Sequence, residues 1–125
     1  MAYNFAQAAN RLAIAEQQYA GGADIRFTRF TSCIGLVARN NNNLTAVHLV
    51  MFSSDDSQFD NNAAQAAVNL LGAYQEVVVV GQTGMWNAQI PAYQHLIGLL
   101  HNPHIVDRND GVYGADIHNG TIRIN

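Results

Sequence analysis

The chain's single cysteine, Cys33, stands in the stretch TSCIGL, and its first histidine, His48, follows fifteen residues later in TAVHLVM. Thiol and imidazole together can carry out nucleophilic catalysis at neutral pH. A free thiol titrates near 8.5 and only the thiolate attacks, so a histidine in hydrogen-bond reach takes the proton and later returns it to a leaving group. Backbone N–H groups at a turn around Ser32 and Cys33 are the candidate donors to the oxyanion. The plainer reading is two core residues on neighbouring strands, because a lone cysteine in an apolar strand is usually a small buried hydrophobe.

Position decides between the two. Residues 32–38 and 44–52 are rich in strand formers, and four asparagines, Asn40 to Asn43, separate them. Asparagine tolerates the positive φ of tight turns, so the pattern predicts a hairpin. A two- or four-residue loop sets Arg39 opposite Leu44, Gly35 opposite His48 and Cys33 opposite Val50. Cys33 and His48 are then diagonal neighbours on one face, roughly 7–8 Å apart at the backbone. Gly35 puts no side chain beneath the imidazole. A three-residue loop would send the two groups to opposite faces.

The remaining elements follow from period and punctuation. Phe5, Ala8, Ala9, Leu12, Ala15 and Tyr19 share a face at helical spacing, so residues 3–19 are expected to form an amphipathic helix ended by Gly21 and Gly22. ADIRFTRFT alternates like a strand. A polar loop, SSDDSQFDNN, leads into a small-residue helix, AAQAAVNLLGAY, and its Asp55, Asp56 and Asp60 read as loop and capping residues. EVVVV reads as a strand buried on both faces. GQTG turns the chain, and Pro91 opens a third helix, PAYQHLIGLL. HIVDRN and GVYGADI are expected short strands, and HNG turns into a last one, TIRIN. The expected fold is one α+β domain over residues 1–125, a mainly antiparallel mixed sheet with about three helices packed on it.

At 125 residues, 49% hydrophobic and 12% charged, the chain has the make-up of a compact globular domain. A net charge of −3 without a basic stripe argues against nucleic acid as partner. The N-terminus lacks the apolar run of a signal peptide or a membrane span, which implies synthesis in the cytoplasm and no membrane partner. An effector exported by a dedicated machine would lack such a signal too. His101 and His104 flank an expected helix end with no third ligand, so no metal is assigned. No cofactor motif is present.

The layout of TSC at 31–33 and TAVHLVM at 45–51 resembles the thiol-dependent glutamine deamidases. These include the chemotaxis receptor deamidase CheD, the catalytic domain of the cytotoxic necrotizing factors and Burkholderia lethal factor. In that group a short polar or small tripeptide ends in the nucleophilic cysteine, and the histidine sits on the next strand. The order EVVVVGQTG, QHLIGLL, IVDRNDGVYGADIHNGTIRIN is similar to the CheD-like C-terminal half. The toxins favour Ser-Gly-Cys and CheD proteins Gly-Ser-Cys, whereas this chain has Thr31, Ser32, Cys33. A threonine upstream of the cysteine supports the histidine in several members. Thr28 and Thr31 are the candidates here, and a backbone carbonyl would serve as well.

The resemblance implies a metal-free, cofactor-free glutamine amidohydrolase acting on a protein side chain through a Cys33 thioester, in the manner of a bacterial effector or toxin. Specificity is then expected in the loops at 53–61 and 81–90, the second carrying Gln82 and Trp86. The rival reading is a non-catalytic protein-binding module on the same scaffold, with Trp86 as its aromatic anchor. Oligomeric state is left open.

Overall fold

The computed structural model describes residues 3–125. Among the described residues, nine strands and three helices form one α+β unit. β1 (Ala6–Gln7), β2 (Gln18–Gly22), β4 (Ile34–Asn40), β5 (Asn43–Leu49), β6 (Glu76–Gly81) and β7 (His104–Asp107) make a six-stranded sheet in the order β1-β2-β5-β4-β6-β7. Only the outer pairs, β1 with β2 and β6 with β7, are parallel. β3 (Ile25–Arg26), β8 (Gly114–His118) and β9 (Thr121–Ile124) make a separate antiparallel sheet. The helices are α1 (Asn61–Leu71), α2 (Thr83–Gln89) and α3 (Ala92–Leu99).

The central hairpin takes the two-residue loop. Asn41 carries the positive φ of 57°, Asn40 pairs with Asn43, and Gly35 lies opposite His48. β6 is buried throughout Val77–Val80, as a central strand between β4 and β7 must be. Each of those valines contributes about 2 kcal/mol by leaving water. Alternation then divides the sheet. Ile34, Leu36, Val47, Leu49, Val77 and Val79 face the layer of α1 and α3, with α1 against β5. The opposite face carries Gly35, His48 and the Arg39–Glu76 ion pair at 2.9 Å. β9 covers that face, where the Ile122 N–H donates to Glu76 Oε1.

Residues 3–19 are not a helix. They run as an extended strap through β1 into β2, bonded to the far end of β5: the Gln17 N–H donates to the His48 carbonyl at 2.9 Å. Tyr3 and Val50 exchange two bonds, the phenol donating to the Val50 carbonyl and accepting its N–H. Half of the face that a helix here would bury is alanine, whereas the extended path supplies partners for the free edge of β5. GQTGMW also departs from the expected loop, since Thr83 starts α2. Asp107 closes that helix start, accepting from the Thr83 hydroxyl at 2.8 Å and the Gly84 N–H at 3.1 Å. These bonds hold the Asp107 carboxyl below its ordinary range. Asp60 caps α1 through the Ala63 N–H, and Asp55 accepts from Ser53 and Ser57 within its loop. Among the described residues no helix is long and apolar enough to cross a membrane.

Candidate active site

Cys33 lies immediately before β4 and His48 near the end of β5, in the register expected. Both are fully buried. The imidazole packs between Phe27 and Phe30, with ring centroids 5.5 and 4.8 Å away. These rings also fill the space above Gly35. A Cβ there would come within 2.6 Å of Phe27 and 3.0 Å of Phe30, so the glycine admits the phenylalanines that wall the histidine.

His48 Nδ1 lies 2.9 Å from the Ile14 carbonyl oxygen. A carbonyl only accepts, so Nδ1 carries the proton and Nε2 presents a bare lone pair. Among the described residues Nε2 is the one buried side-chain nitrogen or oxygen with no hydrogen-bond partner. Burial is the main influence on this ring and lowers its pKa, keeping it neutral. The support comes from neither threonine hydroxyl. The Thr28 backbone N–H joins the imidazole on the same Ile14 oxygen at 2.9 Å, and the Thr31 carbonyl sits on the thiol instead.

Cys33 is not hydrogen-bonded to His48. Its Sγ lies 3.3 Å from the Thr31 carbonyl oxygen and 3.8 Å from Glu16 Oε2. Burial, with the negative charges of Glu16 and Asp110 adding to it, pushes the thiol up to about 12. At neutral pH it is protonated. Glu16 acts in opposite senses on the two groups: it disfavours a thiolate and favours an imidazolium. Passing a proton from Sγ to Nε2 conserves total charge, so the two influences offset each other in the transfer.

The turn before β4 is held from three sides. Ser32 has φ 59°, the left-handed conformation that a serine rarely adopts. Its carbonyl accepts from Trp86 Nε1 at 2.9 Å, and its N–H donates to Asp110 Oδ1 at 2.8 Å. Gly81, φ 127°, lies so near that a Cβ would be 2.4 Å from the Cys33 carbonyl. Of the backbone donors expected for the oxyanion, the Ser32 N–H is taken up by Asp110. Trp86 is corrected. It is buried in α2, edge-on to Phe59, so it braces the cysteine turn from inside and is no surface anchor.

Ile14, Glu16 and Asp110 escaped the sequence reading. Glu16 carried one signal, as the sole acidic residue among the first 23. Three cavities of about 350, 340 and 240 Å³ open elsewhere, and none is lined by Cys33 or His48. Comparison of the chain with protein-family models, with curated proteins and with solved structures finds no match.

Proposed function

We propose that the chain is a cysteine-dependent glutamine amidohydrolase acting on a protein side chain, as its resemblance to the thiol deamidases implies. The observation that carries this reading is His48 Nε2. A buried lone pair without a partner costs about 1–3 kcal/mol, and a purely structural histidine would normally satisfy it. Here one ring nitrogen is fixed by Ile14, and the other is left bare on the strand beside a thiol. That is the protonation state of a general base.

The mechanism requires Cys33 to turn from Thr31 and Glu16 toward the neighbouring strand, where Sγ–H would meet Nε2. His48 takes the proton, and the thiolate attacks the carboxamide carbon. The imidazolium protonates the amide nitrogen, ammonia leaves and a thioester remains. Water, deprotonated by His48, hydrolyses the thioester to glutamate and restores the thiol. An amine in place of water gives transamidation. The product gains a carboxylate where a neutral amide stood, enough to disable or retune a target protein, which suits an effector or toxin.

One observation favours the rival, a binding module: both side chains are closed off, and the thiol is held protonated. Alkylation of Cys33 by iodoacetamide, followed against pH in the native chain and in His48→Ala, separates the two. A catalytic couple predicts that the substitution slows alkylation at least tenfold at neutral pH. Equal rates in both would make the pair structural and leave the binding module.

A further inference from the structure

Two hydrogen-bond donors beside Cys33 converge on one negatively charged oxygen. The Ser32 N–H reaches Asp110 Oδ1 at 2.8 Å, and Gln82 Nε2 reaches the same atom at 3.3 Å. Because the acceptor is a carboxylate, the Gln82 amide is necessarily the donor. Both donors are anchored. Left-handed φ at Ser32 and the Trp86 bond to its carbonyl aim the N–H, while the Gln82 N–H donates to the Cys33 carbonyl at 3.1 Å and ties its residue to the cysteine. Asp110 is exposed, in the loop that follows β7, yet close enough for its charge to be felt at the thiol. A carboxylate oxygen resembles the oxyanion of a tetrahedral adduct in size and charge, and preorganised donors at that point are what acyl transfer requires.

We propose that Ser32 N–H and Gln82 Nε2 form the oxyanion site of Cys33 and that Asp110 plugs it in the resting protein. The inference rests on the amidohydrolase reading and adds to it a catalytic residue, Gln82. Attack of Sγ on a carboxamide carbon turns its oxygen into an alkoxide, which takes the place of Asp110 Oδ1 between the two donors. Collapse of the adduct expels ammonia, protonated by His48. Asp110 withdraws toward solvent while substrate is bound and returns afterwards, so the unoccupied site never presents bare donors.

Butyraldehyde tests this, since it carries the CH2–CH2–C=O run of a glutamine side chain. It adds to a thiol as a hemithioacetal: the C–S bond forms, the thiol proton passes to oxygen, and that oxygen lies where the oxyanion would. Binding is read as protection of Cys33 from iodoacetamide. Asp110→Ala should bind the aldehyde at least tenfold tighter than the native chain, with Asp110→Asn intermediate. Adding Gln82→Ala to Asp110→Ala should cancel that gain, with protection in each variant read against that variant's own uninhibited alkylation rate. Equal aldehyde binding with and without Gln82, alongside alkylation that depends on His48, overturns the oxyanion site and leaves the amidohydrolase standing. A thiol inert to aldehyde and indifferent to His48 in every variant overturns both. Matching thermal melts guard against misfolded variants.

Discussion

The Ile14 carbonyl oxygen receives both His48 Nδ1 and the Thr28 N–H, each at 2.9 Å. One backbone atom of the strap thus fixes the imidazole's tautomer and joins it to the chain leaving β3. The arrangement settles which nitrogen is protonated without using any side chain.

An unpartnered Nε2 predicts that His48 lowers stability where it stands. His48→Leu removes the bare lone pair and keeps most of the volume between Phe27 and Phe30, while the Ile14 oxygen retains Thr28. The variant should gain about 1 kcal/mol in urea unfolding. A catalytic couple predicts that Cys33 in this variant is also alkylated at least tenfold more slowly. A loss of 2 kcal/mol or more would mean that Nε2 is satisfied in solution and that the case for a bare base is wrong.

Stability should fall on both sides of neutrality. Burial lowers the His48 pKa below its ordinary 6.5, so the unfolded chain binds a proton that the folded one refuses; this contribution is complete above 6.5 and is lost as pH falls below it. The Cys33 thiol is raised from 9.0 to about 12, so its contribution holds below 9 and is lost as pH rises from 9 toward 12. Denaturant midpoints across this range should show His48→Leu flattening the limb below 6.5 and Cys33→Ala flattening part of the alkaline limb. The raised Tyr3 phenol keeps the rest of that limb.

The backbone on either side of the cysteine should respond in opposite directions to neighbouring substitutions. Gly81→Ala must place a Cβ 2.4 Å from the Cys33 carbonyl at φ 127°, and should cost roughly 3 kcal/mol. Ser32→Gly relieves a left-handed serine worth about 1–2 kcal/mol, partly offset by the greater freedom of glycine in the unfolded chain. Thermal unfolding should therefore shift down by many degrees in the first and stay level or rise in the second.

The parts legible from sequence are those where local signals and packing agree. Four asparagines allowed the even-residue loop that pairs Gly35 with His48, the two-residue form being the one adopted, and four consecutive valines read as an interior strand. Segment 3–19 misled because alanines at helical spacing satisfy a periodic pattern while offering little surface to bury. Leu12, the largest aliphatic of that supposed face, is 45% exposed. Long-range bonds to Val50 and His48 decide its path, and no window of seventeen residues contains them. The site divided in the same way. Cys33 and His48 were readable as residue types on paired strands, but Ile14 enters through a main-chain oxygen that any residue would supply, and Asp110 through a loop 78 residues away from Ser32.

Trp86 is the chain's sole tryptophan, and its indole is bonded to the residue beside the thiol. Emission excited beyond the absorption of the five tyrosines therefore has one origin, a dry indole seated under the Cys33 turn. Any event that loosens the turn, whether aldehyde binding, loss of Asp110 or docking of a target, will wet or reorient that indole. The protein thus carries its own fluorophore for stopped-flow observation of the site, with no label attached.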